Sequence, residues 1–446
     1  MTTDALLSQL TLEEKAALTS GSGFWYTVPV ERLGIPRIMV SDGPHGLRAQ
    51  PDGGDHVGLN GSIPATCFPP AATLASSWDP KLAYAQGEAI AQEARAINLS
   101  VVLGPGVNIK RSPLCGRNFE YLSEDPYLAG ELGVGIVDGI QSKGVGTSLK
   151  HFAVNNQETD RLRVSAAVSQ RALREIYLPA FEKVVTTSQP WTVMCSYNKI
   201  NGTYASENSW LLQDVLRTQW GFQGLVVSDW GAVYDKVASI KGGTDLEMPP
   251  VLPYSPDAVV AAVKDGTLDE AVLDERVRAV LELVAKGSQV LGLEETYDAD
   301  AHHALARRVA GECGVLLAND GLLPIAPSTK VAVIGEFART PRYQGAGSSQ
   351  VNPTRVVAPL DALSDVYETT FAPAYSLDTY EADAALVAEA VAAAEAAEAV
   401  VMVIGLPGPE ESEGFDRTHI NLPANQLASL AAVAAANPKV TVVLVN

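Results

Sequence analysis

Basic residues are in short supply in this chain of 446 residues: 32 Lys and Arg stand against 52 Asp and Glu, a formal net charge of -20. That balance argues against nucleic acid or an anionic membrane as partner, because each is held by a basic surface. It tolerates a neutral or cationic small substrate, and it also serves solubility alone. Cysteines are few. Cys67, Cys115, Cys195 and Cys313 are too far apart for zinc or redox pairing, so they read as buried thiols in a reducing compartment. The six histidines give no ligand-spaced pair, and His302 and His303 are adjacent on a predicted helix, so no metal centre is expected. No Gly-rich dinucleotide fingerprint follows a strand, since Gly345-Ala346-Gly347-Ser348-Ser349 stands too far from one, and no cofactor is expected. Long apolar runs are missing too: the longest, around Ala399 to Leu406, is far below a bilayer span. Met1-Thr2-Thr3-Asp4 has neither the basic nor the apolar stretch of a signal peptide. These shortages lead to the expectation of a cytoplasmic, soluble protein.

What is present is globular, at 47% hydrophobic and 19% charged, and longer than one core usually supports. The first 290 residues repeat one pattern, a short apolar run that stops on a polar group. Arg37 to Asp42 ends on an acid, Gly146 to His151 on a cation and an imidazole, Val193 to Tyr197 on a phenol, and Gly224 to Asp229 on a carboxylate followed by Trp230. Asp is a poor strand residue, so a strand ending on one suggests a site. With strands also predicted at Ala71–Ser77, Ser100–Pro105 and Thr244–Met248, seven strands alternate with helical stretches. The pattern predicts a TIM-like (β/α)8 barrel over 1–290 with its site at the strands' C-terminal rim. Capping boxes at Thr11-Leu12-Glu13-Glu14 and Thr267-Leu268-Asp269-Glu270 predict helix starts, and Gly287 a helix end.

Residues 291–319 read as a linker with an amphipathic bridging helix from Asp298 to Asn319. The pattern then restarts over 320–446. Strands at Lys330–Gly335, Val400–Gly405 and Val440–Val445 alternate with helices at Asp383–Ala399 and Ala424–Ala435, as in a doubly wound α/β sandwich. The chain stops on a strand at Asn446, and such a sheet wants at least one more β/α unit. The domain is therefore expected to be incomplete, with the remaining C-terminal part of the same protein as its partner.

Taken singly, the polar rim residues have ordinary readings. Asp229 could cap the next helix, Lys150 and His151 could be a loop ion pair and a satisfied histidine, and Tyr197 could be a half-buried aromatic. Together with Asp42, Arg117 and Arg161 they suit a ligand made of hydroxyls, each able to donate and accept. Trp230 beside Asp229 offers a flat apolar platform for a sugar's C–H face. The acidic loop Glu410 to Arg417 follows a strand end where open α/β sheets bind ligands. Glycoside hydrolysis needs two carboxyl groups, and Glu413 is placed to supply the second beside Asp229.

The motifs Asp42-Gly43-Pro44-His45-Gly46, Gly116-Arg117-Asn118-Phe119-Glu120 and Lys150-His151-Phe152 (with Asn155, Glu158 and Arg161 behind it) stand in order. So do Met194-Cys195-Ser196-Tyr197-Asn198, Ser228-Asp229-Trp230-Gly231 and Glu411-Ser412-Glu413-Gly414-Phe415-Asp416-Arg417. This series resembles glycoside hydrolase family 3, most of all its β-glucosidases, over nearly the whole chain. The resemblance implies a barrel followed by an α/β sandwich and retaining hydrolysis of a small β-glucoside or oligosaccharide. It implies Asp229 as nucleophile and Glu413 as acid/base, with Glu411, two residues away, as the rival for the second role. It implies Asp42, Arg117, Lys150, His151, Arg161 and Tyr197 in the pocket for the terminal sugar, with Trp230 and Ser348 on its outer wall. Lys150, Arg117 and Arg161 are expected to keep Asp229 ionised, and Glu413 to need a raised pKa. A β-xylosidase of the same family, a Schiff-base aldolase on Lys150 and a non-catalytic sugar-binding fragment remain alternatives.

Overall fold

The computed structural model describes residues 2–50, 53–54 and 61–445. Residues 51–52 and 55–60 lie outside the described residues, within residues 49–66 whose loop shape is expected to help set sugar specificity, as does Asn446. The chain forms two compact units. The first comprises Met1–Gly314 with Gly345–Thr354 and Glu413–Asp416; the second comprises Val315–Gln344, Arg355–Ser412 and Arg417–Asn446.

The first unit is built on a seven-stranded sheet whose spatial order follows the chain: β1 (Gly21–Ser22), β2 (Tyr26–Thr27), β3 (Met39–Asp42), β4 (Leu99–Leu103), β5 (Gly146–Phe152), β6 (Thr192–Cys195) and β7 (Leu225–Ser228). The hairpin β1–β2 joins β3 antiparallel, and from β3 onward every pairing is parallel. Beyond β7, the amides of Asp245 and Leu246 donate to Val226 O at 2.9 and 3.1 Å, while Gly21 N donates to Glu247 O and Glu247 N to Thr19 O, both at 3.0 Å. Backbone hydrogen bonds therefore run from β7 through residues 245–248 back to β1, and the sheet curls on itself. Every residue of β4 to β7 is buried, as parallel strands covered on both faces require. The helices Pro80–Ala96 and Pro126–Gln141 each begin with proline after an aspartate whose carboxylate accepts a first-turn amide. The Thr11 capping box is reciprocal, as its spacing predicts.

Several predicted elements fold otherwise. Ala71–Ala75 is a helix rather than a second strand, and β3 pairs directly with β4. Pro70 in front and three alanines within favour a helical turn, and an apolar run this short carries no decisive period. Residues 244–248 make ladder hydrogen bonds without forming a continuous strand, Leu246 bridging Val227. Helix Glu270–Gly287 is capped by Asp269, because Thr267 turns its hydroxyl to Asp265 and Ala262 instead. The bridging helix stops at Glu312, before Gly314, and Val315, Leu316 and Leu317 are exposed.

The second unit has a four-stranded parallel sheet in the order β9 (Glu368–Ala372), β8 (Lys330–Ile334), β10 (Ala399–Gly405), β11 (Val440–Val445). β9 was not foreseen, since Glu-Thr-Thr-Phe-Ala is polar and only its last residue is buried. Helices Ala384–Ala396 and Ala424–Ala436 alternate with these strands. All four cysteines are free thiols. Among the described residues no helix is long and apolar enough to cross a membrane, and no cluster of metal-ligating side chains occurs.

Candidate active site

One pocket of about 280 Å³, counted out to its mouth, is lined by Asp42, Arg117, Lys150, His151, Met194, Tyr197, Asp229, Trp230, Ser348 and Glu413. All belong to the first unit, because the Ser348 and Glu413 segments fold with it. The strand ends supply most of the set. Asp42 closes β3, Lys150 and His151 lie in β5, and Tyr197 and Asp229 follow β6 and β7.

The acids and bases alternate. Glu120, wholly buried, takes Arg117 at 2.7 Å and Lys150 Nζ at 3.0 Å. Burial pushes its carboxyl up, but those two cations outweigh it and the net shift is down. Asp42 meets Arg48 at 3.4 Å and Lys150 at 3.8 Å. At these longer distances burial wins, and its pKa rises to about 7. His151 is held below its ordinary range by burial and by Arg117, Lys150 and Arg161, and is therefore neutral. Tyr121, whose hydroxyl stands 3.1 Å from His151 Nδ1, also receives Asn155 Nδ2 at 3.3 Å. His151 Nε2 faces Asp229 Oδ2 at 3.8 Å.

Asp229 binds the amide of Trp230 through Oδ1 at 2.7 Å, and its buried Oδ2 has no hydrogen-bond partner among the described residues. Its carboxyl is shifted up, since burial exceeds the opposing pull of Arg117, Arg161 and the Trp230 amide. This corrects the expectation that nearby cations set its ionisation: Arg117 and Arg161 act as foreseen, but removal from water is larger. Trp230 is anchored by Nε1 donating to Phe24 O at 3.0 Å and packs on Trp25 with ring centroids 5.3 Å apart. Tyr197 donates to Trp230 O at 3.0 Å and lies under the Arg161 guanidinium, 4.7 Å from its ring centroid.

Glu413 sits in a cradle. Its Oε1 takes Arg161 at 2.8 Å and Arg117 at 3.4 Å, and its Oε2 takes the amide of Ser348 at 2.7 Å. Burial would push its carboxyl up, yet the two guanidiniums and Ser348 overcome it and hold the group well below the carboxylate range. The raised pKa expected for an acid catalyst is thus not found at Glu413. Two neighbouring acids fasten the segment. Glu158 takes Arg161 Nη1 and Gly414 N, both at 2.8 Å, and Asp416 takes the amides of Gly116, Glu158 and Thr159 at 3.1, 2.9 and 2.9 Å. Glu411 instead pairs with Arg342 at 2.5 Å within the second unit, and only Glu413 lines the pocket. Lys150, in its ion pair with Glu120, is a poor nucleophile, which removes the basis of the aldolase reading.

Of the residues expected at the site, Arg161 does not line the pocket but stands behind it on Glu413 and Tyr197, while the others line it; the supporting residues were missed: Trp25, Arg48, Tyr121 and the roles of Glu120, Glu158 and Asp416. Three of these stand inside the quoted motifs, so their chemical type was visible but not their partners.

A curled α/β unit carrying paired carboxylates in a pocket rich in hydrogen-bonding groups is the frame of a sugar-processing site. Residues 28–283 match the Glycosyl hydrolase family 3 N terminal domain and residues 314–446 the Glycosyl hydrolase family 3 C-terminal domain. The chain belongs to glycosyl hydrolase family 3. It is 53% identical to an exo-alpha-(1->6)-L-arabinopyranosidase of Bifidobacterium longum over 99% of this chain and 60% of that protein. It is 49% identical to the thermostable beta-glucosidase B of Acetivibrio thermocellus over 99% of this chain and 59% of that protein. Among solved structures it resembles a GH3 beta-glucosidase of Bifidobacterium adolescentis, with a TM-score of 0.93 and 55% identity, covering 98% of this chain and 63% of that one. Beta-glucosidase 3B of Thermotoga neapolitana in complex with glucose aligns at a TM-score of 0.90 and 35% identity, covering 99% of this chain and 68% of that one. The chain thus spans about three fifths of the length of these two curated relatives.

Proposed function

We propose that this chain carries the active site of a retaining exo-acting β-glycosidase, and that terminal non-reducing β-D-glucosyl residues are its first substrate. The observation that carries the reading is the buried, unpartnered Oδ2 of Asp229 in the same pocket as Glu413. In the first step Oδ2 attacks the anomeric carbon, the bond to the aglycone oxygen breaks, and that oxygen takes a proton from Glu413. In the second step ionised Glu413 removes a proton from water, whose oxygen displaces Asp229 and releases the sugar with its anomeric configuration retained. The ionised Glu413 at rest suits the second step. For the first it must gain a proton, and a neutral sugar entering beside Arg117 and Arg161 would loosen their hold. Asp42, Lys150, His151 and Arg117 offer the acceptors and donors for the sugar's hydroxyls, with Trp230 beneath its C–H face.

A second substrate is favoured by the relative of 53% identity, named for α-L-arabinopyranosides. An α-L-arabinopyranoside presents the same direction of anomeric bond as a β-D-glycoside but has no hydroxymethyl group, so one pair of carboxylates serves both. Initial rates with nitrophenyl β-D-glucopyranoside, β-D-xylopyranoside and α-L-arabinopyranoside rank the sugars. Tight binding of all three with no nitrophenol release would instead mean a sugar-binding chain without turnover.

A further inference from the structure

Arg161 reaches Glu413 from a loop whose tip has little apolar support. Residues 158–164 turn at Asp160, whose φ is 55° and whose carbonyl accepts the amides of Arg163 and Val164, both at 2.8 Å. The loop is tied at its two ends. Asp416 takes the amides of Glu158 and Thr159, both at 2.9 Å. Lys199 N donates to Val164 O at 2.9 Å, where Lys199–Ile200 pairs with Ser165–Ala166. Between these ties Thr159, Asp160, Leu162 and Arg163 are exposed, so the backbone that carries Arg161 is not fixed by burial. The Tyr234 hydroxyl meets that stretch from the loop that follows β7, donating to Leu162 O.

Tyr234 is itself braced. Its ring stacks on Tyr204 with centroids 3.8 Å apart and planes at 16°, and Lys199 Nζ lies 4.5 Å from the Tyr204 centroid. The residues around it are docked as well, Ser206 Oγ donating to Ala232 O at 2.9 Å and the Asp235 amide to Glu207 Oε1 at 3.3 Å. Burial and the neighbouring Tyr204 push the Tyr234 hydroxyl up to about 12, so it keeps a proton to donate. A half-exposed tyrosine could satisfy its hydroxyl with water; this one is aimed at the carbonyl next to Arg161. We propose that Tyr234 is a positioning residue for the reaction: it tethers the Arg161 loop to the loop that carries Asp229 and Trp230, and through Arg161 it holds Glu413 in place. The inference rests on the proposed role of Glu413 as acid/base.

Tyr234→Phe removes the hydroxyl and keeps the stacked ring, so it tests the tether without emptying the site. Hydrogen exchange read by mass spectrometry needs no turnover. The amides of residues 161–164, and those of Glu413 and Gly414, should exchange faster in the variant than in the wild type. Unchanged rates at Glu413 and Gly414 would overturn the proposal. With nitrophenyl β-D-glucopyranoside, the alkaline limb of kcat/KM should move to higher pH by up to about one unit, because a slackened Arg161 holds the charge of Glu413 less firmly. Adding Tyr234→Phe to Arg161→Gln should move the limb no further. A limb that moves in Arg161→Gln but stays in Tyr234→Phe, or two shifts that add, would overturn the proposal. A limb fixed in both variants would tell against Glu413 as the acid, and the exchange rates would then judge the tether by themselves.

Discussion

Burial and charge oppose one another at every carboxylate of the catalytic pocket, and the winner differs from residue to residue. At Glu413 two guanidiniums and an amide prevail over burial, whereas at Asp229 and Asp42 burial prevails over more distant cations. Removing the Arg161 charge should therefore raise the pKa of Glu413. If protonated Glu413 is the acid, the alkaline limb of kcat/KM moves to higher pH in Arg161→Gln, whatever happens to the absolute rate; an unmoved limb would assign that limb to another group. Asp42 makes a stability prediction. With its pKa raised from 3.8 to about 7, the folded state binds a proton that the unfolded state has lost, so stability falls as pH rises between those values. Asp42→Asn should then raise stability relative to wild type above pH 7, by on the order of a few kcal/mol at most and seen as a higher Tm, and leave it unchanged near pH 3. Scanning calorimetry at the two pH values checks it, with lost sugar affinity as the expected counterpart.

At the scale of elements, a short segment from beyond the first 314 residues is fastened into the first unit by backbone amides rather than by apolar packing. Asp416→Ala leaves three amides without an acceptor and frees the Glu413 segment. We expect kcat to fall by ~10²-fold, the cost of about 1 Å of misplacement, with Asp416→Asn less affected. Gly347→Ala should act similarly from the other side, since its Cβ would come within 2.4 Å of Glu413 Cβ at a φ of 115°. Parallel Tm measurements on both variants tell a shifted acid from a lost fold. This scale also explains what the chain betrays of itself. Strands such as Leu225–Val227 and Val193–Cys195 are unbroken apolar runs that end on polar groups, so the rim residues could be named from them. Ala71–Ala75 carries no decisive period, residues 244–248 owe their pairing to partners on both sides, and β9 is polar at an exposed edge. The acidic-loop carboxylate in the pocket was legible from its motif as Glu413, but what separates it from its rival Glu411, the Gly347 turn and the Asp416 clamp, was not.

For the molecule as a whole, a net charge of -20 makes a test that needs no mutation. Glycosides with a cationic aglycone should lose kcat/KM as ionic strength rises, while neutral ones stay level. The central claim is narrower: Asp229 forms the bond to the sugar. An activated 2-fluoro glucoside should inactivate the protein and add one fluoroglucosyl group, which peptide mass spectrometry finds on the Asp229 peptide and which Asp229→Asn fails to acquire. A label on any other side chain, or inactivation undiminished in Asp229→Asn, would contradict it.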